Sequence, residues 1–117
     1  MNIETLRDYC LSKPGATESF PFGPETLVFK VGGKVFALTS LDASPLSVNL
    51  KCDPELAVQL REEYDAVRPG YHMNKTHWNT VIINGTVRES EVKRWIDHSY
   101  ELIVGSLPKT VRLSLEN

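Results

Sequence analysis

The segment from residue 68 to residue 80, RPGYHMNKTHWNT, concentrates side chains that can bind or react. It holds two histidines, a lysine, an arginine, a tyrosine and a tryptophan, and it contains no acidic residue. A metal site, a nucleic-acid-binding surface and an ordinary hairpin turn are the three interpretations to weigh. His72 and His77 are an odd number of positions apart, so on one continuous strand they would point to opposite faces. Because a zinc site needs three or four ligands and the segment lacks Cys, Asp and Glu, we expect no metal site.

The chain offers little for catalysis. Cys10 and Cys52 both fall on predicted apolar faces, where a free cysteine behaves as a small hydrophobic residue. Nucleophile-elbow, P-loop, dinucleotide-binding and zinc-protease motifs are all missing from the sequence. We therefore expect no enzyme activity and no cofactor. An enzyme that uses His72 or His77 as a base would need a carboxylate brought from another segment.

Nucleic-acid contact has more support. Lys30 and Lys34 flank one predicted hairpin tip, and Lys75 lies at a second. Cations contact phosphates, and exposed rings stack on bases. Around the second tip the candidate contact residues are Arg68, Tyr71, His72, His77 and Trp78. Trp78 has an alternative place in the core, because it shares strand parity with Ile82, and that is the interpretation the pattern favours.

The charge of the chain is acidic on average but uneven. A net charge of −2 and a pI near 5.9 are unlike the basic balance of a dedicated nucleic-acid module. However, the ranges 26–41 and 66–88 contain no Asp or Glu. An acidic average can therefore hide a basic face, and a polyanion responds to the local field.

The elements that position these residues form one domain over residues 1–117. Helical spacing predicts a first helix over 2–12, a second after Asp53-Pro54 and a long third from about Glu89 to Val104. Gly32-Gly33 predicts a hairpin between TLVFKV and KVFALTS, and LSVNLKC alternates as a strand with one wet face. TVIIN predicts a further strand, VRLSL a short final one, and SFPFGPE a loop that buries its aromatic rings. The simplest packing is an α+β fold, an antiparallel sheet covered on one face by helices, in the order α-β-β-β-α-β-β-α.

Four ordered motifs carry a resemblance to a known family over nearly the whole chain. They are FPFGPETLVFKVGGKVFAL (20–38), LKCDPE (50–55), PGYHMNKTHWNTV (69–81) and SYELIVGSLPK (99–109). With them the chain resembles the MmcQ/YjbR family of small bacterial proteins. The resemblance implies a fold like that of the frataxin/CyaY group and a DNA-binding role through a "double wing" of two β-hairpins. The iron handling of frataxins is not implied, because the first helix has only Glu4 and Asp8 as acids.

Carried onto this sequence, the first wing is the hairpin at Gly32-Gly33 with Lys30 and Lys34. The second turns near Asn74-Lys75 and brings Tyr71, His72, His77 and Trp78. The leading expectation is thus a cytoplasmic, monomeric, non-enzymatic DNA-binding protein, with no secretory signal and no apolar stretch near the ~20 residues of a membrane span. The alternative is a module that binds a peptide or small ligand in a groove between the PGYHMNKTHWN hairpin and the SFPFG loop. A neutral pocket lined by Phe22, His72, His77 and Trp78 would favour that alternative.

Overall fold

Helices and short strands follow one another along the chain, and the computed structural model describes residues 1–70 and 73–115. The helices are α1 (Ile3–Leu11), α2 (Pro54–Glu63), α3 (Glu89–Ser106) and α4 (Lys109–Leu115). The strands are β1 (Thr17–Ser19), β2 (Thr26–Val31), β3 (Lys34–Ser40), β4 (Ser47–Lys51), β5 (Val67–Pro69) and β6 (Trp78–Ile82). None of the helices in these ranges is long and apolar enough to cross a membrane.

The strands form one sheet in the order β1-β2-β3-β4-β6-β5, and each neighbouring pair is antiparallel. Buried residues of α1, α2 and α3 join those of the sheet in one apolar core. The helices cover one face of the sheet, and the opposite face, here called the open face, carries the alternate strand residues. This confirms the predicted α+β fold with an antiparallel sheet packed on one face by helices.

Local signals in the sequence place the helix ends. Asn2 and Thr5 form a reciprocal capping box at the start of α1, with both hydrogen bonds at 2.9 Å. Asp53 caps α2 by accepting the Leu56 N–H at 3.3 Å, and Pro54 occupies the first helical position. Each cap pairs one first-turn N–H group that has no partner within its helix, so these helices begin where the sequence predicts.

Ser99 on α3 ties the helix to the sheet where two strands separate. The β3–β4 ladder pairs Ala37 with Leu50, but a bulge opposite Phe29 and Lys30 displaces Phe36 from the regular register. The Ser99 hydroxyl donates to the Phe36 carbonyl at 2.5 Å and accepts the Lys51 N–H at 2.9 Å. A fully buried side chain thereby satisfies two backbone groups that the ladder leaves unpaired.

Three features differ from the sequence prediction. β1 was not expected, and it adds an edge strand by pairing Thr17 to Ser19 with β2. VRLSL is not a strand: it belongs to α4, whose Leu115 packs near Gly15 and Val31. The SFPFGPE loop does not bury its rings, because Phe20 is 48% exposed and Phe22 is 72% exposed.

Candidate nucleic-acid interface

The two predicted wings lie at the same end of the sheet. β2 and β3 are joined at Gly32-Gly33, and β5 and β6 by residues 70–77. β4 runs antiparallel to both β3 and β6, so the end of β2 and the end of β5 point the same way. The two hairpin axes are three strand spacings apart, which amounts to roughly 14 Å. The structure therefore sets the hairpins side by side, with the end of β4 between them.

The tip of the first hairpin is a tight glycine turn held against the C-terminal end of α3. Gly32 and Gly33 have φ values of 58° and 81°, in the left-handed region that glycine adopts without strain. A Cβ on Gly32 would lie 2.6 Å from Leu107, so that side chain packs directly on the turn. Lys34 is exposed, and its Nζ lies 3.4 Å from the Ser106 hydroxyl. Lys30, further down the strand, is half-buried.

Asn74 holds the second half of the connection between β5 and β6, from Asn74 to Trp78, through its backbone carbonyl and its side chain. Its carbonyl accepts the N–H groups of His77 at 3.2 Å and Trp78 at 2.9 Å. Its side-chain oxygen accepts the Thr76 N–H at 2.9 Å. Gly70 N–H donates to the Trp78 carbonyl at 2.8 Å, which closes the hairpin. Asn74 therefore stabilises the turn, as expected for an Asx turn.

The exposed tip of the second hairpin is pinned to α2. The Arg61 guanidinium donates to the Lys75 carbonyl at 3.0 Å, which leaves the lysine side chain exposed to solvent. His77 is also exposed. Arg68 is exposed at the sheet edge, and its Nε donates to the Asp65 carbonyl at 2.7 Å. Lys75 and His77 are thus presented at the tip, whereas Arg68 is held lower on β5.

Three aromatic predictions concern this hairpin. Tyr71 and His72 lie outside the described residues. The prediction that Trp78 belongs to the core is wrong, because it is half-buried and alternates with the buried residues Asn79 and Val81. Trp78 does share parity with Ile82, but both lie on the open face. Its cross-strand neighbour there is Lys51.

The open face carries cations and no strand acids. Strand register places Lys30, Lys51 and Arg68 on this face, together with polar and aliphatic residues. Within the strands described here the only acid is Glu18, which lies on the helix-covered face and forms a 2.6 Å ion pair with Arg7. Lys51 was not among the candidate residues, although the alternation in LSVNLKC already assigned it to the wet face. The open face of the described strands therefore has no acid, although register with Val31 places the cation Lys34 on the helix-covered face.

A concave pocket of about 690 Å³ occupies the centre of the open face. Val35, Leu38, Asn49 and Thr80 line its floor, and Phe22 and Met73 contribute to its walls. These walls come from the SFPFG loop and the second hairpin, the two segments predicted to form a groove. Of the residues expected to line it, Phe22 does so, whereas His77 and Trp78 are not among its lining residues. We call this feature the open-face pocket.

The two cysteine thiols lie in the core, as predicted. Burial raises the pKa of Cys10 to about 12. Burial, together with the nearby Asp53 carboxylate, raises the pKa of Cys52 to about 11. Both thiols are protonated near neutral pH, and a thiol is a much weaker nucleophile than a thiolate.

Comparison with known proteins identifies relatives along nearly the full chain. The YjbR family model matches residues 11–102. Protein YjbR of Escherichia coli K12 is 38% identical over 112 residues, which cover 96% of this chain and 95% of that protein. Protein YbdF of Escherichia coli O157:H7 is 39% identical over 106 residues, which cover 91% of this chain and 87% of that protein. Both names describe an uncharacterized protein and state no activity.

Solved structures show the same architecture. The crystal structure of Deinococcus radiodurans protein DR2400 superposes with a TM-score of 0.93 at 39% identity and covers 98% of this chain and 88% of that one. A Pseudomonas syringae protein superposes with a TM-score of 0.76 at 30% identity and covers 88% of this chain and 99% of that one. Family model, sequence identity and fold agree, and the chain belongs to the YjbR family.

Proposed function

We propose that the protein binds duplex DNA through the tips of its two hairpins and performs no catalysis. The observation that carries this proposal is the shared direction of the hairpins, which brings exposed Lys34 and Lys75 to one end of the sheet. The axes of the two hairpins that carry these lysines are roughly 14 Å apart, comparable with the width of the major groove, about 12 Å. Two lysines so placed can contact phosphates on both sides of a groove.

The charge distribution supports the same surface. Lys30 and Lys51 extend the positive charge from the tips onto the open face. Many of the acids lie on α2 and α3, in the layer behind the sheet. A polyanion that approaches the hairpin end of the open face therefore meets cations, in spite of the net charge of −2.

The proposal is tested by reversing the charge of both tips. Lys34→Glu combined with Lys75→Glu should abolish binding of a labelled duplex in fluorescence anisotropy. Wild-type affinity should fall steeply with salt, because each phosphate contact contributes about 0.9 to the slope of log K against log salt.

A matched control makes the same charge change away from the hairpins. Lys93→Glu combined with Arg94→Glu alters two exposed or half-exposed cations of α3, behind the sheet. This control should retain most of the duplex affinity. Equal loss in both double variants would mean that only total charge matters, and undiminished binding in the hairpin variant would refute the proposal.

A second candidate function is a module for a peptide or small uncharged ligand. The open-face pocket favours it, since Phe22 and Met73 form walls around a floor whose lining residues, among those the structure describes, carry no charge. A thermal shift caused by an uncharged ligand and abolished by Leu38→Trp, which fills the floor, would support this candidate.

A further inference from the structure

The open-face pocket lies beside cations of the same sheet face. Lys30 is the cross-strand partner of Val35, which lines the pocket. Lys51 lies two positions beyond Asn49 on β4, so both point to the open face, roughly 7 Å apart along the strand. A ligand seated in the pocket therefore has ammonium groups at the hairpin end.

The other end of the pocket is different in charge. Ser40 lines the pocket and donates its hydroxyl proton to the Asp42 carboxylate. The Glu25 side chain lies next to the Asp42 carboxylate. The backbone carbonyl of Glu25 accepts the Leu41 N–H at 2.7 Å. An anionic group on a ligand is therefore attracted to the lysine end and repelled from the carboxylate end. Between these two ends, the lining residues in ranges 1–70 and 73–115 are uncharged, so the pocket has a defined electrostatic polarity.

The walls and floor of the pocket offer a ring and an amide. Phe22 is 72% exposed, so its ring face is accessible for stacking on a ligand. The Asn49 Oδ1 accepts the Thr80 hydroxyl at 2.5 Å, and within residues 1–70 and 73–115 its Nδ2 has no hydrogen-bond partner. That amide can donate to a ring nitrogen or carbonyl. An aromatic face and a directed donor are the usual means of holding a nucleobase.

We propose that the open-face pocket binds an unpaired base of a DNA strand, with the adjoining phosphate against Lys30 and Lys51. The ring of Phe22 stacks on the base, and the Asn49 amide donates to its edge. This inference rests on the proposed DNA-binding function and deepens it, because it names the unpaired nucleotide as the unit that is recognised. The hairpins then hold the backbone on either side of the exposed base.

The experiment compares three labelled probes by fluorescence anisotropy: a single strand of mixed sequence, the same strand annealed to its complement, and an abasic strand of the same length. Wild-type protein should bind the single strand roughly tenfold tighter than the abasic strand, as expected for the loss of stacking on one base. Phe22→Ala should remove this difference. Phe20→Ala is the matched control, since Phe20 is an exposed ring of the same loop that does not line the pocket.

A variant of Lys30 tests the proposed phosphate contact separately from the base contact. Lys30→Gln should lower the affinity for the single strand and for the abasic strand by the same factor, because both probes retain phosphates. Equal wild-type affinity for the abasic and the normal strand would overturn the inference, as would unchanged single-strand binding in Phe22→Ala. If duplex binding still depends on Lys34 and Lys75, that failure leaves the hairpin proposal intact. If no probe binds, both proposals fail.

Discussion

The glycine turn of the first hairpin allows a prediction whose size follows from two neighbouring positions. Gly32 and Gly33 share the left-handed conformation, so alanine at either costs about 1 kcal/mol of backbone strain. A Cβ on Gly33 would meet no atom within 4 Å, whereas one on Gly32 would lie 2.6 Å and 2.8 Å from the two methyl groups of Leu107. Carbon atoms in contact lie about 3.5–4.0 Å apart, so Leu107 must move.

Leu107 has little room to do so without leaving its site. It is 4% exposed, and both of its methyl groups face the glycine. Displacing it forfeits part of the ~2–5 kcal/mol that truncating a buried leucine costs. We therefore expect Gly32→Ala to lower the free energy of unfolding by about 3 kcal/mol and Gly33→Ala by about 1 kcal/mol.

Urea unfolding of the two variants measures this difference, and a double variant locates its cause. In a Leu107→Ala background the added cost of Gly32→Ala should fall to about 1 kcal/mol, because only backbone strain remains. Equal costs for Gly32→Ala and Gly33→Ala would refute the packing argument. So would an undiminished cost of Gly32→Ala in the Leu107→Ala background.

Three further predictions concern the second hairpin, the core and pH. Gly70→Ala should lower the free energy of unfolding by roughly 2 kcal/mol, measured by thermal unfolding. The added Cβ would lie 2.7 Å from the Trp78 Cβ and 2.9 Å from the Trp78 carbonyl oxygen. A change below ~0.5 kcal/mol would contradict this close approach. Ser99→Ala should cost about 2 kcal/mol in urea unfolding because it leaves two backbone groups unpaired, whereas the exposed Ser114→Ala should cost little. Burial raises the pKa of Cys10 from 9.0 to about 12, so its stabilising contribution is complete below pH 9 and lost as pH rises towards 12. Wild type should therefore lose about 2 kcal/mol more than Cys10→Ala between pH ~8 and pH ~10.5, and parallel pH profiles of unfolding free energy would count against this assignment.

Elements with a local signal were predicted well from the sequence. The stripe on α3 follows from its helical period, and its buried members include Val92, Trp95 and Ile96. Gly32-Gly33 identified the first hairpin because few other residues adopt positive φ at two successive positions. Asp53-Pro54 identified the start of α2 in the same way. In each case the determining interactions lie within a few residues of one another.

The errors concern segments whose structure depends on distant contacts. β1 is three residues long and exists because it pairs with β2, so it has no alternation of its own to detect. VRLSL has β-prone residues but folds as α4, with Leu115 packed near Gly15 and Val31. The rings of Phe20 and Phe22 were assigned to the interior from their type alone. Apolar residues also contribute to protein surfaces. Exposed Phe22 lines the open-face pocket, a position that its residue type alone does not predict.

The candidate site depends on one pairing choice that the sequence does not reveal. β4 could pair with either strand of the second hairpin. In the structure it pairs with β6 over five residues, from Ser47 with Ile82 to Lys51 with Trp78. If β5 took that place instead, β5 would run antiparallel to β4 and the second tip would point to the opposite end of the sheet. Lys34 and Lys75 would then lie at opposite ends of the sheet, and the two hairpin tips could not approach one groove side by side. The five-residue register of β4 with β6 is therefore what makes a two-hairpin interface geometrically available, and the composition of the RPGYHMNKTHWNT segment is secondary to it.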